Sequence, residues 1–116
     1  MLIEGLKFDL RIYVLLAGTD PLKIFVYEDG LVRLCCEKYR EPKKGNVGDT
    51  CVHLTNYAIN KDNPKFDFNT DKNVCGIGNK RTLKWFYDEY LPSQNINVRL
   101  LKKKINKVII KTFCSA

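Results

Sequence analysis

Between Lys7 and Val14 the chain changes character at every residue. Phe8, Leu10, Ile12 and Val14 are apolar, and Lys7, Asp9, Arg11 and Tyr13 stand between them. A period of two does not fit a helix face, whose apolar positions recur every three to four residues; it calls for a strand with one face buried and one open. That strand is read over Leu6 to Ala17, and Gly18-Thr19-Asp20-Pro21 punctuates its end as a turn. Leu22 to Tyr27, rich in Ile, Phe and Val, reads as a second strand. Glu28-Asp29-Gly30 reads as a hairpin turn, because Asp-Gly supplies the positive backbone angles such turns demand. Leu31 to Cys36 would then complete a three-stranded antiparallel meander.

Downstream the pattern loosens. Glu37 to Thr50 is polar, with Pro42, Gly45 and Gly48, and reads as a loop. Cys51 to Ile59 is a short apolar–polar stretch expected to be a strand leading into an irregular turn. Asn60 to Lys80, with Pro64, Gly76 and Gly78, reads as a second long loop, and loops of that length are usually functional or disordered. Two helices follow. In Thr82 to Leu91 the residues Leu83, Phe86, Tyr87, Tyr90 and Leu91 share a face, and Pro92 and Ser93 are expected to end the helix. Asn97 to Phe113 places Val98, Leu101, Ile105, Val108, Ile109 and Thr112 on one side and lysines opposite; Ile110 and Phe113 widen the apolar surface, so burial of that end is expected. Antiparallel strands followed by two helices give an α+β piece.

The chain has 116 residues, 45% hydrophobic and 28% charged, which is the composition of a globular unit rather than a disordered tail. Its net charge of +7 favours an anionic partner. The charge is concentrated: from Leu91 to Ala116 there is no Asp or Glu, while Arg99, Lys102, Lys103, Lys104, Lys107 and Lys111 are basic. Such a run is either a solvated helix face or a landing surface for an acidic segment. No nucleic-acid motif accompanies it. The apolar stretch Ile12 to Gly18 falls far short of the ~20 residues of a membrane span. Charges at Glu4, Lys7, Asp9 and Arg11 exclude a signal-peptide reading of the start. Cys35, Cys36, Cys51, Cys75 and Cys114 have no framework spacing, and reduced cytosolic thiols are expected. Cys51 and His53 lie two apart without a C-x-x-C partner, a poor set for zinc.

On the open face of the first strand, Lys7, Asp9 and Arg11 project the same way, about 6.5–7 Å between alternate residues. Two cations around a carboxylate suit phosphates and ribose hydroxyls, but spacing alone favours a plain surface ladder of charges. Arg33 is a lone charge among Leu31, Val32, Leu34 and Cys35, so it is either paired or aimed into a site. His53-Leu54-Thr55-Asn56-Tyr57 offers hydroxyls, an amide and an imidazole, in residues that also favour turns. Gly78-Asn79-Lys80-Arg81 fits an anion-binding loop ahead of a helix, without the spacing of a P-loop.

Taken together, Lys-Phe-Asp-Leu-Arg-Ile-Tyr-Val (7–14), Asp-Pro-Leu-Lys-Ile-Phe-Val-Tyr-Glu-Asp-Gly-Leu-Val-Arg (20–33), Glu-Lys-Tyr (37–39) and His-Leu-Thr-Asn-Tyr-Ala-Ile-Asn (53–60) resemble the tubulin tyrosine ligase-like family in order and spacing. Gly-Asn-Lys-Arg (78–81) and Val-Ile-Ile-Lys-Thr (108–112) extend the resemblance over nearly the whole chain. It implies part of an ATP-grasp fold, with residues 1–116 a central portion incomplete at both ends. It also implies the joining of an amino acid to a carboxylate by way of an acyl phosphate. By the same resemblance Lys7, Phe8, Asp9, Thr55 and Asn56 would bind ATP, and Arg11 would be catalytic, facing the phosphates or the reacting carboxylate. Arg33 and Lys80 would hold the incoming amino acid.

The glutamate-adding members are the ones most resembled, although Ala58 stands where Ser is more usual. Glutamate addition to tubulin tails is therefore the expected activity, with glycine or tyrosine addition as alternatives. The family's magnesium ligands, an Asp and a later Glu-x-Asn, are expected outside these residues, so the piece alone is expected to be inactive. The expected partners are tubulin, whose acidic tails would meet Lys102, Lys103, Lys104 and Lys107, and free glutamate, with neither nucleic acid nor membrane. The expected location is the cytoplasm and cytoskeleton, with cilium or basal body as candidate sites. A reading of another class is a non-catalytic microtubule-binding module using the basic helix.

Overall fold

The computed structural model describes residues 1–68 and 76–116. The middle of the loop expected over Asn60 to Lys80, with Cys75, lies outside the described residues. The alternating segment forms β1 (Leu6–Thr19), which pairs antiparallel with β2 (Leu22–Lys38). A short β3 (Lys80–Thr82) adds to the far side of β2, giving a three-stranded sheet in the order β1-β2-β3.

The expected meander is corrected here. Glu28-Asp29-Gly30 is not a hairpin turn, because β2 runs through it without reversing. The ladder steps from Ile12↔Gly30 to Val14↔Val26, so Tyr27 to Asp29 oppose Tyr13 as a bulge. The Asp29 carboxylate turns back, and its Oδ1 accepts from the Gly30 amide at 2.7 Å and from the Lys84 amide at 3.0 Å. Gly30 is required by space rather than by an unusual backbone angle: a Cβ there would strike the Arg11 carbonyl oxygen and meet Leu83 Cδ2 at 3.2 Å. A second bulge lies between Leu6↔Lys38 and Phe8↔Leu34, where Cys35 to Glu37 oppose Lys7.

The strand expected over Cys51 to Ile59 is also corrected. It is two single turns, α1 (Thr50–His53) and α2 (Tyr57–Asn60), with extended backbone at Leu54. The buried Asn60 amide closes this stretch by donating to the Leu54 carbonyl at 2.8 Å and the Asn56 carbonyl at 2.9 Å, which an extended strand cannot offer.

Thr82 caps the next helix, its hydroxyl accepting from the Trp85 amide at 3.1 Å. The helix winds as α3 (Leu83–Trp85), a π-helical turn (Phe86–Tyr90) and α4 (Leu91–Ser93). Pro92 and Ser93 are its last helical residues, as expected. Proline lacks an amide and crowds the carbonyl four residues back, and the wider π turn ahead of it accommodates both effects. Beyond the C-cap at Gln94, Asn95 is left-handed at φ 55, and the Ile96 amide returns to the Leu91 carbonyl at 3.0 Å. Asn97 then caps α5 (Val98–Cys114) by accepting from the Leu100 amide at 3.0 Å.

Phe8, Leu10 and Ile12 from β1 and Val32 and Leu34 from β2 meet Leu83, Phe86, Tyr87 and Leu91 in the core, with Ile3 from the N-terminal segment. Val98, Leu101 and Ile105 close that core from α5. The far half of α5 departs from the expectation of burial: Ile110 is 50% and Val108 63% exposed, since no described element packs over them. The distal part of the β1–β2 ribbon likewise leaves Leu15, Phe25 and Tyr27 open.

Candidate functional site

The register places Asp9 opposite Arg33, and Arg33 opposite Lys80. Residues directly paired across an antiparallel sheet share a face, so the three form one row on the side away from the core. The next row carries Arg11, Leu31 and Thr82. Arg33 grips Asp9 in a fork, Nε to Oδ1 at 3.1 Å and Nη2 to Oδ2 at 2.7 Å. Thr55 leans over the pair, its hydroxyl donating to Asp9 Oδ2 at 3.0 Å, and Arg33 Nη2 reaches that hydroxyl at 3.4 Å. Arg11 Nη2 stands 3.5 Å from Asp9 Oδ2 and remains about half exposed. Thus, of the two readings that the sequence leaves open, Arg33 is paired, and the pair lies on the open face of the sheet.

Lys7 continues the row of alternate residues toward the N-terminal end, and its Nζ donates to the His53 carbonyl at 2.7 Å. Beside it Lys7, Phe8, Tyr39, Pro42, Val47 and His53 line an open cavity of about 690 Å³. Phe8 belongs mainly to the opposite face, where its ring centroid lies 5.7 Å from that of Phe86. His53 Nε2 lies 3.1 Å from the Asn46 carbonyl oxygen. Asn56 is exposed at the start of α2. At the other end of the row Lys80 sits over the Tyr57 ring, 5.1 Å from its centroid. Tyr57, Phe66 and Phe68 form an aromatic cluster there, with Phe66 and Phe68 centroids 4.4 Å apart.

Of the expected anion-binding loop, only Lys80 faces the row. Arg81 is buried, its guanidinium stacked on Trp85 at 5.0 Å and bound to Glu4 Oε2 at 2.9 Å and the Gly78 carbonyl at 2.9 Å. It locks β3 to the N-terminal segment and is not available to a ligand.

Sequence reasoning missed two buried amides. Asn60 Oδ1 accepts from the Cys36 amide at 3.0 Å, at the bulge in β2. Asn79 Nδ2 donates to the Cys35 carbonyl at 2.9 Å, and its Oδ1 accepts from the Asp67 amide at 2.9 Å. Asn60 closes the quoted 53–60 segment and Asn79 precedes Lys80, but neither position declares its partners locally. The same bulge buries two thiols, and that burial pushes Cys35 and Cys36 up to about 11. The described cysteines are all free.

The lysines of the basic run, Lys102, Lys103, Lys104 and Lys107, are exposed on α5. Because α5 packs on the core side of the sheet, they do not join the Asp9–Arg33–Lys80 row. Lys102 Nζ lies over the Tyr87 ring at 4.4 Å. Among the described residues no helix is long and apolar enough to cross a membrane.

Chemically, the open face sets four cationic side chains, Lys7, Arg11, Arg33 and Lys80, around the single carboxylate of Asp9. That excess of positive charge suits anionic groups. Among the described residues no three His, Cys, Asp or Glu side chains are grouped to hold a metal ion.

Residues 1–116 match the tubulin-tyrosine ligase family, and the chain belongs to that family. Over 115 residues it is 54% identical to "Probable beta-tubulin polyglutamylase" of Tetrahymena thermophila, covering 99% of this chain and 10% of that protein. It is 44% identical to "Tubulin polyglutamylase TTLL7" of Mus musculus, covering 99% of this chain and 12% of the relative. It is 42% identical to "Tubulin monoglutamylase TTLL4" of Homo sapiens, over 99% of this chain and 9% of the relative. The chain thus spans about a tenth of the length of these curated relatives.

Proposed function

We propose that these residues are the central portion of a larger ATP-grasp domain that uses ATP to join glutamate to glutamate side chains of tubulin tails. The observation that carries the reading is the Asp9–Arg33–Lys80 row with Thr55 over it and the Lys7 cavity at its end. The similarity to proteins named as tubulin polyglutamylases supports the choice of substrate. The exposed ribbon around Phe25 and the exposed far half of α5 are what a piece of a larger fold would present.

In this reading the cavity beside Lys7 and Phe8 takes the base and ribose end of ATP. Asp9 and Thr55 then offer an acceptor and a hydroxyl to ribose, and Asn56, exposed at the start of α2, completes that pocket. Arg11, held only loosely at 3.5 Å from Asp9, turns to the phosphates or the reacting carboxylate. Arg33 spends Nε and Nη2 on Asp9, while its Nη1 takes no partner among the described residues and is left for the carboxylate of the incoming amino acid. Lys80 supplies a second point charge to that carboxylate. ATP would supply the activation of the acceptor carboxylate, and fixed cations would stabilise the negative charge gathered there. The magnesium implied by the family would be held by residues other than those described, and no step is derived through it.

The test is to offer labelled glutamate, glycine and tyrosine to the complete protein with tubulin, with and without ATP. Glutamate incorporation that needs ATP is expected; incorporation of glycine or tyrosine alone would contradict the substrate assignment. Cytoplasm and cytoskeleton, including cilium or basal body, follow as the places of action.

A second reading, a microtubule-binding surface, is favoured by the exposure of Lys102, Lys103, Lys104 and Lys107 along α5. Acidic tails would meet it with salt-sensitive affinity. It is compatible with the first reading, because the two surfaces lie on opposite sides of the sheet.

A further inference from the structure

Thr55 and Asn56 sit between two helical turns of four residues each, too short to hold themselves. Neither turn has a side-chain cap. What fixes the segment is Asn60, which is completely buried. Its Nδ2 bridges the carbonyls of Leu54 and Asn56, the residues on either side of Thr55. Its Oδ1 takes the Cys36 amide, which the β2 bulge has released from the ladder. Its own carbonyl accepts from Cys36 Sγ at 3.5 Å. From the other side of the same bulge, Asn79 fixes the chain leading to Lys80. Its Nδ2 reaches the Leu34 and Cys35 carbonyls, and its backbone carbonyl takes the Leu34 amide at 2.8 Å.

We propose that Asn60 is a positioning residue that holds Thr55 over Asp9 and fixes the backbone at Asn56, and that Asn79 is its counterpart for Lys80. The bulge in β2 exposes the backbone groups that both amides grip, so one irregularity registers both flanks of the site. Resting on the nucleotide reading above, Asn60 then governs ATP affinity and Asn79 governs amino-acid affinity. A merely structural amide would affect both together.

The experiment uses the complete protein with Asn60→Asp and Asn79→Asp. Asn60→Asp keeps an acceptor for the Cys36 amide but removes the donors to Leu54 and Asn56. ATP dissociation constants, the KM for glutamate, and amide hydrogen exchange in peptides over 54–60 and 76–82 are measured. Asn60→Asp is expected to weaken ATP about thirty-fold, the effect of losing both Nδ2 hydrogen bonds, with the KM for glutamate within about two-fold. Exchange protection is lost over 54–60 alone. Asn79→Asp reverses the pattern, raising the KM for glutamate and deprotecting 76–82. Equal changes in both affinities, or unchanged protection over 54–60, overturn the proposal. If Asn60→Asp does not fold, Asn60→Ser gives the same comparison. A wild-type protein that does not bind ATP would sink the nucleotide reading instead, and the exchange pattern would still decide whether Asn60 positions the segment.

Discussion

The Asp9–Arg33 fork should behave as one energetic unit, and a double-mutant cycle measures that directly. Asp9→Ala, Arg33→Ala and the double variant are compared with wild type by urea unfolding. Hydrogen bonds to ionised groups contribute about 1.5–3 kcal/mol each when well shielded. Here the Arg33 side chain is 16% and that of Asp9 36% exposed, so solvent screening reduces the gain. A coupling energy of about 1–2 kcal/mol follows for the pair. Asp9→Ala alone should be the costlier single change, since it leaves a half-buried guanidinium without its carboxylate. It also removes the acceptor of the Thr55 hydroxyl. The midpoints should move while the urea slope stays constant. Additive single effects, with a coupling below about 0.3 kcal/mol, would refute the fork as the organising contact of the row.

Gly30→Ala should destabilise by about 1–3 kcal/mol, because the new methyl has to displace the Arg11 carbonyl; an unfolding midpoint within error of wild type would contradict the continuous, bulged β2. The buried thiols of Cys35 and Cys36, raised to about 11, keep their protons in the folded state while unfolded thiols lose them near ~8.5. The folded protein then binds more protons across that window, so stability should fall as pH rises from about 8.5 through 11. Cys35→Ala with Cys36→Ala should flatten that slope, and an unchanged slope would show that other groups cause it. Replacing Lys102, Lys103, Lys104 and Lys107 with Glu should abolish salt-sensitive cosedimentation with microtubules; undiminished binding would remove α5 from the contact surface.

Local pattern was enough for some elements and blind to others. The period of two in β1 assigned Lys7, Asp9 and Arg11 to one face, and Thr82 and Asn97 marked the helix starts because their side chains cap amides within three residues. Asp29-Gly30 misled because its chemistry is that of a turn. Its carboxylate instead satisfies the Lys84 amide, and the demand that decides its role comes from a helix far along the chain. Cys51 to Ile59 misled for a related reason: the apolar content fits a strand, yet the buried Asn60 folds the segment back on itself. The site shows the same division. Each member of the Asp9–Arg33–Lys80 row stood out singly by charge and setting, but their alignment depends on strand register across long separations, which no local spacing encodes. Asn60 and Asn79 were invisible as anchors because an asparagine that grips a bulge looks in sequence like one that makes a turn.

ATP binding by the open face of the sheet is the property from which the other site assignments follow. Equilibrium binding of labelled ATP to the complete protein, wild type against Asp9→Ala, measures it. The predicted result is saturable binding that Asp9→Ala weakens about ten-fold, as expected for the loss of roughly one charge-assisted hydrogen bond. No binding by the wild type, or equal affinity in the variant, would contradict the assignment of this face as the nucleotide site.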